Sequence, residues 1–119
     1  MYEFDRTALA GYRGQCHLRL HQPSAAIAAF TESIGSVPAT CVRRKAQLET
    51  GLAEAQLAAG HVDQALSTAT TALQVFATRG SVSGMRRIRR LRNLLHDNGH
   101  TRQAAQLDEQ ARTALKATP

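Results

Sequence analysis

Six arginines and not one carboxylate lie between Asp63 and Asp97: Arg79, Arg86, Arg87, Arg89, Arg90 and Arg92. Guanidinium forks at this density suit the capture of carboxylate or phosphate groups through paired hydrogen bonds. The six account for the whole formal charge of +6, because the remaining nine basic residues are matched by nine acidic ones. A basic surface running through the chain, the usual footprint of a nucleic-acid binder, is therefore not what the charge describes. Binding of nucleic acid through the Arg79–Arg92 tract stands as the alternative use of the cluster, and it would weaken steeply with salt. Against it, no aromatic lies near the tract for base stacking, and no recognition helix pairs base-reading side chains with it.

Catalytic chemistry has no such concentration of residues. Gly-x-Ser-x-Gly, His-Glu-x-x-His and phosphate-loop patterns are missing, as is a carboxylate pair placed to act as acid and base. Asp108-Glu109 falls on a polar helix face and reads as solvated. The expectation is a protein that is not an enzyme and carries no cofactor. Cys16 and Cys41 lack Cys-x-x-Cys spacing and read as reduced, small core residues. Cys16, His17 and His21 cluster, and His96 and His100 are four apart, a spacing that puts two imidazoles on one helix face as metal ligands require. The second histidine of each pair falls at an expected turn, where that spacing fails. A small helical enzyme or metal-binding protein, using His17, His21 and Cys16, is the second alternative.

The elements that must position these side chains are helices. The chain of 119 residues, 43% hydrophobic and 20% charged, allows one compact domain or a short array of repeats. Twenty-one alanines and only five aromatics suit closely approaching helices rather than pleated sheets. Periodicity predicts helices over approximately 4–20, 23–35, 41–58, 62–78, 83–97 and 101–116, and no strand. Pro23 suits a first helical turn, Gly60 and Gly99 suit left-handed helix ends, and Ser81 or Ser83 suits an N-cap. On the fifth helix Ile88, Leu91, Leu94 and Leu95 form the buried stripe, leaving Arg86, Arg89, Arg90 and Asn93 on opposing or flanking faces. No apolar run approaches the ~20 residues of a membrane span and no cleavable signal is visible, so a soluble cytoplasmic protein is expected.

The helices fall into three pairs, approximately 4–38, 41–78 and 83–116. Gly60-His61-x-x-Gln64-Ala65 returns as Gly99-His100-x-x-Gln103-Ala104, a shift of 39 that also aligns Ala26, Ala65 and Ala104, then Ser33, Ala72 and Ala111. Twelve residues before the first three stand Gly14, Ala53 and Arg92, so the third crossing must be looser or shifted. This pattern, with Phe30 at the aromatic position and Pro38 closing the first unit, resembles the tetratricopeptide repeat, whose period is about 34 residues. The resemblance covers nearly the whole chain and implies an all-α, right-handed array of three antiparallel helix pairs. The longer period then calls for extra residues in the links, at about 36–41 and 78–83. Phe4-Asp5-x-x-x-Leu9-Ala10-Gly11-Tyr12-Arg13-Gly14, continuing to Cys16, Leu18, Arg19 and Leu20, resembles the C-terminal sensor and oligomerisation region of actinobacterial helix-turn-helix regulators. On that likeness the chain is an excised domain or a stand-alone relative.

The resemblance implies a groove lined by first helices. Its ligand-facing positions would be Gln15 and Arg19, then Gln47, Thr50 and Glu54, then Arg86, Arg89, Asn93 and His96. Some members of the repeat family hold a peptide's terminal carboxylate with basic residues four apart on the third unit's first helix, and Arg86 and Arg90 match that spacing. Gly11 and Gly51 stand where that clamp expects Lys and Asn. The implied function is non-catalytic binding of a protein or peptide with acidic groups, anchored by the Arg-rich helix. The Ala-rich last helix adds a homodimer as a secondary expectation.

Overall fold

A computed structural model describes the chain over residues 2–117, with side chains from residue 8 onward. Six α-helices occur among the described residues and no strand: α1 (Tyr2–Arg19), α2 (Pro23–Ser36), α3 (Val42–Ala58), α4 (Val62–Arg79), α5 (Val82–Asp97) and α6 (Thr101–Ala117). Every boundary falls within two residues of the one expected from periodicity. Each helix packs on the next, and α3 also touches α1 and α5 while α4 also touches α6. Among the described residues no contact joins α2 to α4. The radius of gyration, 13.8 Å, is that of a compact chain of this length, for which ~13.5 Å is expected.

Local chemistry sets most of the helix ends. Pro23 occupies the first turn of α2, where a missing N–H costs nothing. Pro38 then forces Val37 into extended backbone (φ −75°, ψ 130°), which stops α2 at Ser36. The corresponding stretch 39 residues on, Phe76 to Arg79, has no proline, and α4 runs straight through it to Gly80. The two links expected to carry extra length therefore differ. The first is a real five-residue connection, 37–41; the second is only Gly80 and Ser81, its surplus absorbed as an added helical turn. Ser81 caps α5, its hydroxyl accepting the Gly84 N–H at 3.1 Å.

Four turns share one backbone geometry. The N–H of His21, Gly60, Gly80 and Gly99 reaches the carbonyl three residues back at 3.0–3.2 Å, and the next N–H reaches the carbonyl five back at 2.8–2.9 Å. This pair of hydrogen bonds satisfies the orphan carbonyls of a helix end and needs a left-handed residue at its centre. Gly60 and Gly99 take φ 85° freely, whereas His21 is held at φ 56° with a Cβ in the way. His21→Gly is expected to stabilise the protein by about 0.5–1 kcal/mol, the steric relief being partly offset by a more flexible unfolded chain. Thermal denaturation should register a rise of roughly 2–4 °C; an unchanged or lower midpoint would contradict the strain.

The interior is built from alanine and a few large side chains. Between α3 and α6 a cluster of Ala46, Ala53, Ala69, Ala72, Leu73 and Phe76 meets Ile88, Leu91, Leu95, Ala104 and Leu107. A second, smaller cluster joins α2 to α3 through Ala26, Phe30, Leu48 and Ala55. Small residues let helix axes approach, and the two buried phenylalanines fill the remaining space. Phe30 lies against Gly14 of α1 and Gly51 of α3, and Phe76 against Gly84 of α5. The close approach of α5 to α4 is thus made at Gly84.

Several expectations for single side chains change. Cys16 and Cys41 are free and exposed, on the outer face of α1 and at the start of α3, not in the core. Asp108 is not simply solvated; Arg92 Nε donates to its Oδ2 at 3.0 Å, tying α5 to α6. Leu94 is half-buried, so the fully buried stripe of α5 is Ile88, Leu91 and Leu95 with Gly84.

Candidate binding groove

Contacts of α3 with both α1 and α5 place these three helices side by side. Two depressions run along the surface they form. One, of about 310 Å³, is lined by Gln15, Thr50, Gly51, Glu54, Arg87, Arg90 and Leu91. The other, of about 220 Å³, is lined by Tyr12, Gln15, Arg44, Gln47 and Arg87, among others. Gln15 and Arg87 border both, so the two read as one groove.

Its floor is bare for a packing reason. A Cβ at Gly11 would meet Leu48 Cδ2 at 2.9 Å, and one at Gly51 would run into the ring of Phe30. Both positions are small because buried side chains already fill the space behind them. Thr50, 4% exposed, turns its hydroxyl inward to the Gln47 carbonyl at 2.6 Å. Polar function is left to the walls: Gln15, Gln47, Glu54, Arg87 and Arg90.

The walls are unequally charged. Arg90 Nη2 donates to Glu54 Oε1 at 3.1 Å, with Arg90 71% and Glu54 24% exposed. A pair so open to water is worth about 0–1 kcal/mol, but it fixes the guanidinium across the groove. Arg87, exposed and without an ion pair among the described residues, carries the free positive charge between the two depressions. On α3, Glu49 lies half out of water; desolvation pushes its pKa above the ordinary 4.5, and nearby Lys45 opposes the shift.

The groove gathers five of the residues expected from the sequence: Gln15, Gln47, Thr50, Glu54 and Arg90. Arg86 and Arg89 lie on the other flank of α5, bordering a depression of about 320 Å³ with Val82, Met85 and Leu115. Asn93 accepts from Arg92 Nη1 at 3.3 Å, and His96 Nδ1 stands 3.6 Å from Asp97 Oδ1 at the end of α5. Arg19, exposed in the last turn of α1, borders neither part of the groove. His17 Nδ1 lies 2.8 Å from Gln22 Oε1, bracing the first turn, while Cys16 and His21 are exposed. No group of three or more His, Cys, Asp or Glu side chains among the described residues could hold a metal ion.

Arg87, like Arg44, is a groove residue that sequence pattern alone does not single out. Its signal is its phase: it stands three before Arg90 and seven before Leu94, on the flank of the Ile88–Leu91–Leu95 stripe that turns toward α3. No helix of the described residues is long and apolar enough to cross a membrane. Compared with known proteins, the chain matches no family model, no curated protein and no solved structure.

Proposed function

We propose that the chain is a non-catalytic binding module, a tetratricopeptide-like array of three antiparallel helix pairs whose first helices form a groove for a protein segment with acidic groups. The observation that carries this reading is Arg87, a guanidinium without an ion pair among the described residues, at the junction of the two depressions with Gln15 and Gln47 beside it. A carboxylate seated there gains charge-assisted hydrogen bonds, and the amides supply donors and acceptors for a peptide backbone. The shared turn geometry at His21, Gly60 and Gly99 supports the array, as does the contact of α3 with both α1 and α5. The separation of α2 from α4 is where the stacking departs from even spacing. Membership in the sensor or oligomerisation region of a bacterial, cytoplasmic transcription regulator rests on the resemblance of α1, with the Arg86–Arg92 run followed by Leu94-Leu95.

The division of the arginine tract also favours a protein ligand over nucleic acid. Arg87 and Arg90 border the groove, Arg86 and Arg89 the opposite flank, and Arg92 is engaged by Asp108. A phosphate backbone needs its cations along one continuous track.

A fluorescein-labelled acidic pentapeptide with a free C-terminus tests the groove by fluorescence anisotropy at low salt. Arg87→Ala with Arg90→Ala is expected to weaken binding at least ~10-fold, since a hydrogen bond to a charged group contributes roughly 1.5–3 kcal/mol. Both side chains are exposed, so the melting temperature should hold. Unchanged affinity in the double variant removes the anchoring role. Tighter binding of a DNA duplex than of the peptide, with a steep loss of affinity on adding salt, would move the assignment to nucleic acid.

A further inference from the structure

The flank of α5 turned away from the groove forms a second surface of different chemistry. Two adjoining depressions, of about 320 and 260 Å³, share Met85, Arg89 and Leu115 and follow the seam between α5 and α6. Val82 and Leu115 stand 69% and 52% exposed there, among the most exposed large apolar side chains of the described residues. Beneath them Ile88 and Leu107 are buried, and Ala111 completes the trough. Among the described residues α6 packs only on α4 and α5, so this side of the seam meets no other helix of the chain.

The rim is cationic. Arg86 and Arg89 border the trough and take part in no ion pair among the described residues, while Arg92 and Arg112 border it already held by Asp108 and Glu109. From Val82 to Arg92 the trough follows α5 for about 15 Å at ~1.5 Å per residue, the length of nearly three helical turns. A furrow between two packed helices takes a third helix by the same ridge-and-groove fit, whereas an extended strand would leave its backbone groups unpaired over apolar walls. Self-pairing about a two-fold axis running through the trough would bring the two cationic rims together, at a like-charge cost.

We propose that the α5–α6 seam docks an amphipathic helix of another protein, its apolar stripe on Val82, Met85, Ala111 and Leu115 and its flanking carboxylates on Arg86 and Arg89. This surface is separate from the groove and does not depend on it.

The probe is a synthetic 18-residue peptide (length chosen for about five turns) with leucines at helical spacing and glutamates beside them, compared with the same peptide carrying lysines for glutamates. With the full chain, the glutamate peptide should bind at least ~10-fold more tightly than the lysine peptide. Arg86→Glu with Arg89→Glu should reverse that preference, and Leu115→Asp should weaken both peptides. Amide chemical-shift changes on adding the glutamate peptide should centre on Val82, Met85 and Leu115, away from Gln15 and Gln47. Equal affinity for the two peptides overturns the proposal, as do shifts centred on the groove. Sedimentation showing a dimer that Leu115→Asp converts to monomer would assign the seam to a second copy and likewise overturn it.

Discussion

Phe30→Ala is expected to remove about 3–5 kcal/mol of stability, a large share of the 5–15 kcal/mol typical of a domain. The ring is 1% exposed and fills a slot bounded by three helices, its own α2, Gly14 of α1 and Gly51 of α3. Truncation leaves a cavity that neither glycine can fill, because neither has a side chain to move into it. The rest of that cluster is small or short, namely Ala26, Leu48 and Ala55 with half-buried Leu18, Ile27 and Leu52 around it. Since α1 docks only on α2 and α3 among the described residues, the loss should fall unevenly. Hydrogen exchange is expected to accelerate through α1 and α2 while α4 to α6 keep most of their protection. Uniform acceleration across all six helices would show instead that the two clusters unfold as one.

Gly84→Ala brings the second large effect, from excess volume. A Cβ at Gly84 would enter the ring of Phe76, which is itself fully buried beside Leu73 and Ile88, and the overlap reaches the base of the ring, which a ring flip does not move aside. Two terms compete. Alanine gains about 1 kcal/mol of helix propensity over glycine, and overpacking of a well-filled core costs about 1–3 kcal/mol or more. With the overlap this deep, the steric term wins, and a fall in Tm of several degrees is expected. Phe76→Leu should relieve the clash, so the double variant should be more stable than the sum of the two singles implies. Gly35→Ala is the control: nothing lies within 4 Å of the point where its methyl would stand, and propensity alone should raise Tm. If Gly84→Ala behaves like Gly35→Ala, α5 can slide away from α4 and the packing described for Phe76 is wrong.

The helices were legible because their signals are local: apolar residues at three-to-four spacing, Pro23 and Pro38 as punctuation, Gly60 and Gly99 as ends. The α4–α5 link is shorter than the repeat period implies for a local reason: Pro38, the only proline in the two corresponding stretches, stops α2, whereas α4 has none and continues to Gly80. The exposure of Cys16 and Cys41 was hidden because a cysteine's type says it is small and apolar, not which way its helix faces. The groove was half legible. The repeat resemblance pointed to Gln15, Gln47, Thr50 and Glu54 on α1 and α3, but α5 carries arginines on both sides of its stripe. Choosing Arg87 and Arg90 over Arg86 and Arg89 requires knowing which flank α3 covers, and no local pattern encodes that.

The contrast between the turns and the five-residue link has a mechanical reading. One bonding scheme closes α1 on α2 and also joins α3 to α4, α4 to α5 and α5 to α6, so the chain behaves as two stiff levers, α1–α2 and α3–α6. Residues 37–41 are the slack in the assembly, spanning the step where α2 gives way to α3 without help from α4. Shortening that stretch by a residue would pull the first lever inward and narrow the aperture between α1 and α5; lengthening it would let the aperture widen. Reach across the groove is thus tuned by a segment that contributes nothing to either wall.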